Sequence, residues 1–427
     1  MTNDEVKAPS RRCFLSAAGL AGAAAATLPV AAAHASMAAP ALSTSAELMN
    51  QTVPFYGTQQ AGIATPMQSS LYFAAFDLTT DKRADVVALL KRWSDAAARL
   101  CAGLPAEPGT QMPNEPGLDS GETHGLKPAS LTITFGFGPE LFTLNGKDRY
   151  GVAALRPAAL VDIPAFNGDQ FVEGQSGGAL CIQACANDPQ VAFHAVRQLA
   201  RISYDTATMK WAQAGFSPAP VSPGTARNLM GFKDGTMNPA GKALGSVIWV
   251  DDKSGTPWMH NGSYMVARRI RISLEHWDMM KVAFQEQTFG REKLSGAPLG
   301  GKHEFDTPNF KAVDAYGNSV IPENSHMRLA APDFNDGAQI LRRSYAYNNG
   351  AAFTAERWPP WRQAMEFDAG LFFQAYQKDP RTGFIKIFDK MSKFDMLNQF
   401  TTHVNNAVFA CPPGARKGGY VGETLFA

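Results

Sequence analysis

The feature that most narrows the fold of this chain is an order of elements. Residues 71–76 (Leu71-Tyr-Phe-Ala-Ala-Phe) form an apolar run of strand length. Between residues 81 and 100, Val86, Leu89, Leu90, Trp93, Ala97 and Leu100 return at helical spacing, which lays them along one face of a helix. A loop rich in proline and glycine covers residues 103–127, and residues 131–135 then alternate as a strand. A strand over 179–184, a helix over 191–202 and a strand over 206–214 follow. Strand, helix, strand, repeated once, is the ferredoxin-like plan.

The second half reads as the same scheme. Residues 264–272 alternate basic with apolar side chains as a strand, and 275–284 read as a helix. Strand-like runs recur at 339–347 and 370–376, a helix covers 383–394, and a last strand lies near 407–411. No sequence repeat accompanies the recurrence, so the order of elements alone carries it. The proline- and glycine-rich stretch 216–224 is the natural boundary. The expectation is therefore an α+β chain of two ferredoxin-like domains with antiparallel sheets, residues 55–220 and 221–427. With 427 residues, 45% hydrophobic and 18% charged, the chain has apolar material for two such cores.

Residues 1–35 read as an address. Arg11 and Arg12 form a twin-arginine pair, an alanine-rich apolar run extends over 16–33, and Ala33-His34-Ala35 is a small-residue cleavage site. Alanine dominates the run, and Thr27 and Pro29 interrupt it, which argues against a membrane span. Residues 36–54 show no periodicity and read as a linker. The full chain carries +1, and losing the signal removes three cations and two anions, so the mature chain is neutral. It offers no electrostatic footprint for nucleic acid or an anionic membrane. Twin-arginine export carries folded proteins, a need that arises mainly when a cofactor is inserted before export. The expected location is the periplasm, and the twin-arginine translocon is an expected partner. Cys101, Cys181, Cys185 and Cys411 remain beyond the signal. Four strand residues span roughly 13 Å, beyond the ~7 Å reach of a disulfide, so Cys181 and Cys185 read as separate core thiols.

Several segments carry a resemblance. Gly231-Phe-Lys-Asp-Gly-Thr236 is similar to the Gly-x-x-Asp-Gly signature of dye-decolorising peroxidases. Pro54-Phe-Tyr-Gly, Gln60-Ala-Gly-Ile, Thr132-Ile-Thr-Phe-Gly-Phe-Gly-Pro, Thr288-Phe-Gly-Arg-Glu-Lys, Gly296-Ala-Pro-Leu, Ser325-His-Met-Arg-Leu and Ile340-Leu-Arg-Arg-Ser-Tyr fall in the order that family shows. The chain resembles the family's exported twin-arginine branch, which includes the haem deferrochelatases of bacterial iron uptake. The resemblance implies a haem peroxidase with one non-covalent haem b in the C-terminal domain. The absence of Cys-x-x-Cys-His excludes covalent attachment of the c type. The stretch 351–362, rich in alanine, tryptophan and proline, is longer than the resemblance leads one to expect.

Residue by residue, the resemblance makes His326 the proximal ligand of the haem iron, and Asp234 and Arg342 the catalytic pair on the other haem face. A carboxylate can move a proton between the two oxygens of peroxide. An arginine cannot act as the base, but its cation can steady negative charge on the leaving oxygen. Arg343 is the neighbour with which Arg342 could be confused. Gly235, Thr236, Met237, Ala331, Pro332 and Asp333 match the family's haem-contact stretches. Arg291 could pair with a propionate or form a surface salt bridge, and Asp368 is the candidate acceptor for the other ring nitrogen of His326. His124, His194, His260, His276, His303 and His403 have no such context. Trp258, Trp277, Trp358, Trp361 and Tyr345 are candidate surface relays for electrons from donors too large for the pocket, though aromatic residues more often serve the core.

The expected activity is reduction of hydrogen peroxide with oxidation of aromatic or dye-like donors. The alternatives are a deferrochelatase that takes iron from haem and leaves the porphyrin whole, in company with iron-uptake partners, and a haem-binding protein without turnover. Storage needs neither an acid/base carboxylate nor a peroxide-orienting cation, so Asp234 and Arg342 argue against the last. The oligomeric state is left open, a homo-oligomer being one outcome.

Overall fold

The computed structural model describes residues 45–218, 224–355 and 363–427. The expected export signal, residues 36–44, the middle of the 216–224 boundary, and Trp358 and Trp361 lie outside the described residues. Ten strands stand among the described residues: β1 Ser70–Leu78, β2 Thr132–Phe137, β3 Leu180–Ala186, β4 Ala207–Phe216, β5 Ser263–Ile272, β6 Leu341–Arg342, β7 Tyr345–Ala355, β8 Gln363–Gln377, β9 Thr401–His403 and β10 Ala407–Cys411. The first half runs β4-β1-β3-β2, and the second runs β10-β5-β8-β7. Numbered within its own half, each sheet has the order 4-1-3-2, and every pairing is antiparallel. Single residue pairs join the two sheets at both edges, Phe137 with Ala410 and Phe216 with Ala346.

Period-two alternation explains why β1 is apolar on both faces, Ser70 and Asp77 near its ends excepted. Its residues Leu71, Phe73 and Ala75 face the second sheet, while Ala74, Phe76 and Leu78 face the helices on the other side. Between the sheets, the Phe73 ring lies 5.0 Å from Trp211, 5.2 Å from Phe372 and 6.0 Å from Phe409. On the outer face of the first sheet, helices Arg83–Cys101 and Pro189–Ile202 bury their apolar stripes. Trp93 stacks on Phe135 at 5.5 Å and donates its indole N–H to the Leu199 carbonyl at 2.8 Å, tying both helices to the sheet. The Asp188 carboxylate caps the second helix, accepting from the amides of Gln190 and Val191, with Pro189 in the first turn. All four described cysteines are buried and free.

Several expectations change. Residues 45–50 of the expected linker form a helix, Ser45–Asn50, and Met49 packs on the core while its carbonyl accepts from the Ala129 amide at 2.8 Å. The expected helix 275–284 is two, Leu274–Asp278 and Val282–Phe289, because the Gln285 side chain donates to the carbonyls of Trp277 and Met280 and closes the first early. The expected strand 339–347 also divides, into β6 and the start of β7. Between them Arg343 is buried, and its guanidinium donates to the Thr65 carbonyl and the Gln68 side chain of the first half. Trp258, Trp277 and Tyr345 are buried core residues, not surface relays, since their rings fill inter-element space. The long stretch after residue 350 extends β7 and β8 into a hairpin.

One glycine sets how closely β8 approaches β5. Gly370 pairs with Arg271, and a Cβ there would stand 2.0 Å from the Ile270 carbonyl oxygen. Gly370→Ala is expected to cost about 1–3 kcal/mol as the strands part. Chemical unfolding followed by circular dichroism checks this, and an unchanged midpoint would contradict the close approach.

Candidate functional site

The outer face of the second sheet is covered by helix Phe384–Phe394 and by segments inserted between β5 and β7. A cavity lies beneath them with about 240 Å³ open to the centres of water molecules. Ile270, Ile272, Leu371 and Phe373 of the sheet and Ile387, Phe388 and Met391 of the helix make its apolar walls. Its lining is mainly apolar, with polar side chains that include Asp234, Arg291, His326, Arg342 and His403.

His326 opens the short helix His326–Ala330 and lines the cavity. Its Nδ1 lies 2.7 Å from Oδ2 of Asp395, whose side chain is 3% exposed. The other Asp395 oxygen accepts the Leu397 amide at 2.9 Å, and the Asp395 amide donates to the Met391 carbonyl at 3.0 Å. The carboxylate is thus fixed at the end of helix Phe384–Phe394 before it meets the imidazole. This leaves Nε2 of His326 without a hydrogen bond among the described residues. Asp395 takes the place expected of Asp368, which instead accepts from the Asn349 side chain at 3.0 Å on the β7–β8 hairpin. Strand alternation is the reason: Asp368 shares a face with Phe372 and Tyr376, opposite Leu371 and Phe373 of the cavity wall.

Asp234 and Arg342 meet at the same cavity, with Arg342 Nη1 2.6 Å from Asp234 Oδ1. Arg342 is carried on β6 at the sheet edge, whereas its neighbour Arg343 points into the junction of the two halves, so the structure separates two arginines adjacent in sequence. Asn238, which the sequence reading missed, joins the loop to the strand. Its side-chain Nδ2 donates to the Arg342 carbonyl at 2.8 Å, and its Oδ1 accepts from the Arg342 backbone amide at 3.0 Å. Its place four residues after Asp234 was the available signal. Gly235, with φ of 90°, allows the turn that brings Asn238 round, and the Asn238 amide closes it on the Gly235 carbonyl at 3.0 Å.

Gly235, Thr236, Met237, Ala331 and Pro332 line the cavity. Asp333 does not: it is exposed in the single 3-10 turn Pro332–Phe334, where successive side chains point about 120° apart and Pro332 takes the inward direction. Arg291 is buried at the cavity wall, not in a surface salt bridge. Its Nη1 donates to the carbonyls of Gly296 at 2.6 Å and Glu304 at 2.9 Å, and its Nη2 is buried without a partner among the described residues. His403, given no role from sequence, also lines the cavity. Burial and the nearby Arg268 cation push its pKa well below the usual histidine range, so the ring is neutral.

Glu304 organises the loop behind Asp234. Its Oε1 accepts from the Thr225 hydroxyl at 2.5 Å, the Thr225 amide at 3.0 Å and the Thr236 hydroxyl at 3.2 Å, while Oε2 lies 3.5 Å from the Lys233 ammonium. Burial opposes its charge, but these donors outweigh it and hold the carboxyl below its usual range.

Known proteins share this fold. Family models described as Dyp-type peroxidase, N-terminal and Dyp-type peroxidase, C-terminal match residues 60–217 and 225–416. The chain belongs to the Dyp-type peroxidase family. It is 35% identical over 447 residues to a dye-decolorizing peroxidase of Thermobifida fusca, covering 99% of this chain and 98% of that protein. It is 35% identical over 432 residues to a deferrochelatase of Escherichia coli K12, covering 98% and 97%. A DyP-type peroxidase crystal structure from Streptomyces coelicolor superposes with a TM-score of 0.81 at 38% identity, over 90% of this chain and 99% of that one. Ferric DtpA from Streptomyces lividans gives the same score and identity over 90% and 100%.

The Glu304 cluster makes a pH-dependent prediction. A carboxyl depressed in the folded state contributes stability above its unfolded pKa, and that contribution is lost as pH falls through the folded value. Glu304→Gln is expected to lower stability at pH 7 by about 2 kcal/mol, a difference that narrows on acidification below the ordinary carboxylate range. Unfolding midpoints of both proteins at pH 7 and pH 3 test this, and equal midpoints at pH 7 would contradict it.

Proposed function

We propose that the chain is a haem b-dependent peroxidase, with one non-covalent haem per chain, that reduces hydrogen peroxide and oxidises bulky aromatic or dye-like donors. One observation carries the reading: a single apolar cavity holds both a histidine oriented by a buried carboxylate and a carboxylate–arginine pair. The residues fit the group. Apolar walls suit a porphyrin, the orphaned Arg291 Nη2 suits a propionate, and His326 offers a free Nε2. His326 would ligate the iron, with Gly235, Thr236, Met237, Ala331 and Pro332 against the macrocycle. When bound, haem supplies the iron that takes up peroxide and the electrons that reduce it.

The chain's own residues have separate tasks. Asp395 accepts a hydrogen bond from Nδ1–H of His326, which fixes the tautomer and keeps Nε2 available to a metal. Asp234 takes a proton from one peroxide oxygen and returns it to the other, which leaves as water. Arg342 remains protonated, orients peroxide and steadies charge on the departing oxygen. Asn238 holds the arginine's backbone, so the cation does not drift from the carboxylate. Because a carboxylate and not an imidazole moves the proton, turnover is best on the acid side.

A second reading rests on the deferrochelatase relatives, which match as much of the chain at similar identity as the peroxidase does. In it the same cavity takes haem as substrate, releases iron and leaves the porphyrin whole, in company with iron-uptake partners. Spectra and kinetics test both readings. His326→Ala is expected to abolish the Soret spectrum of a histidine-ligated haem, and Arg342→Leu to slow peroxide consumption at least about tenfold while haem stays bound. Turnover of dye at the parent rate in Arg342→Leu would overturn the role of Arg342, and no dye turnover by haem-loaded wild-type protein would overturn the peroxidase assignment. Metal-free porphyrin fluorescence from wild-type protein given haem would favour the second reading.

The chain is exported folded to the periplasm by the twin-arginine translocon with haem already inserted. This rests on Arg11-Arg12 and the cleavage site Ala33-His34-Ala35. Replacing both arginines with lysine is expected to leave haem-loaded protein, with its signal uncleaved, in the cytoplasm. Fractionation and a haem stain give the readout, and haem-loaded variant in the periplasm would refute the route.

A further inference from the structure

Away from the cavity, Asp119, Glu122 and His194 form a second place where chemistry-bearing side chains converge. Asp119 and Glu122 belong to the irregular segment 103–127, and His194 lies on helix Pro189–Ile202, 3% exposed. Each side chain offers one ligand atom, and the three atoms lie within 4.8 Å of one another. The closest approaches are 3.1 Å between His194 Nδ1 and Glu122 Oε1, and 3.3 Å between His194 Nε2 and Asp119 Oδ2. The two approaches use opposite ring nitrogens, so one ion would take one of them; that nitrogen and its facing carboxylate stand near the roughly 3.4 Å of two ligand atoms in a tetrahedral zinc shell.

The electrostatics point the same way. His194 Nδ1 is buried without a well-aligned hydrogen bond among the described residues. Beside it, burial opposes the charge of Glu122, but the Ser120 hydroxyl, the Glu122 amide and His194 outweigh it and hold the Glu122 carboxyl below its usual range. A protonated imidazole between two carboxylates could give one N–H to each, but its single positive charge balances only one of the two anions. Arg197 reaches Glu122 Oε1 at 3.2 Å, but its side chain is 52% exposed and free to swing away. A divalent cation would neutralise both carboxylates. Imidazole with carboxylate is a donor set suited to zinc-like metals.

We propose that Asp119, Glu122 and His194 bind a divalent transition-metal cation, with water completing its shell, and that the cation clamps segment 103–127 to helix Pro189–Ile202. At present side-chain contacts make that attachment: Gln190 to the Glu122 carbonyl, Gln198 to the Ser120 hydroxyl, and Arg201 to the carbonyls of Gly117 and Leu118. A metal would close the segment at its centre. Arg197 competes with the metal for Glu122.

Zinc titrated calorimetrically into chelator-treated, haem-loaded protein is the test. One saturable site per chain is expected, with slower cleavage of segment 103–127 by a protease when zinc is present. His194→Ala should weaken zinc binding at least about tenfold and leave the Soret band and peroxide turnover as in the parent. Arg197→Ala, a change at an exposed side chain, should tighten it. Should His194→Ala fail to fold, Glu122→Gln carries the same expectation of weakened binding. Absence of saturable binding, or equal affinity in the parent and the ligand variant, would overturn the site.

Discussion

The face-to-face packing of the two four-stranded sheets is the contact on which the rest depends. Phe73, Trp211, Phe372, Tyr376 and Phe409 interlock between them, and single residue pairs at both edges close the assembly. Burying one face of each sheet leaves each with one outer face to cover. The first half covers its own with two amphipathic helices that pack directly on it. In the second half the covering segments stand off the sheet, and the cavity is the space that results.

The polar groups of the cavity are held by elements whose positions are set elsewhere. Asp395 sits where helix Phe384–Phe394 ends and is committed to the turn that follows, so the imidazole of His326 meets a carboxylate already in place. Arg342 is positioned by its ladder to β8 and by Asn238, while Arg343 beside it anchors β7 to the first half. A buried carboxylate or guanidinium is costly unless paired, and here each pairing also sets geometry. Arg291 Nη2 and His403 Nδ1 have no hydrogen-bond partner among the described residues, and a buried cationic donor left open at a cavity wall invites an acidic ligand.

Much of the fold was legible because amphipathic period reports burial directly. The stripe from Val86 to Leu100 and the runs at β1, β3 and β10 appear within a residue or two of where the spacing put them. Where side chains intervene in the backbone, spacing failed: Gln285 split one helix, and the docked Met49 turned a linker into structure. At the site, motifs located His326, Asp234 and Arg342. Asn238, Glu304 and Asp395 were missed because each acts through a contact made only after the chain has folded, across 104, 79 and 69 residues respectively. Asp368 failed as the histidine's partner because proximity along a strand says nothing about the face to which a side chain belongs.

The sequence by itself determined the element order, the alternation that buries both faces of β1, and the residue types that can ligate, move a proton or hold an anion. Those properties are local, written in spacing and in side-chain chemistry. Only the tertiary structure decided that the two halves close edge to edge, that Arg342 faces the cavity while Arg343 does not, and that Asp395 and not Asp368 holds His326. Such choices depend on which groups meet after the chain has folded, and contacts between distant residues leave no periodic trace in the order of the chain.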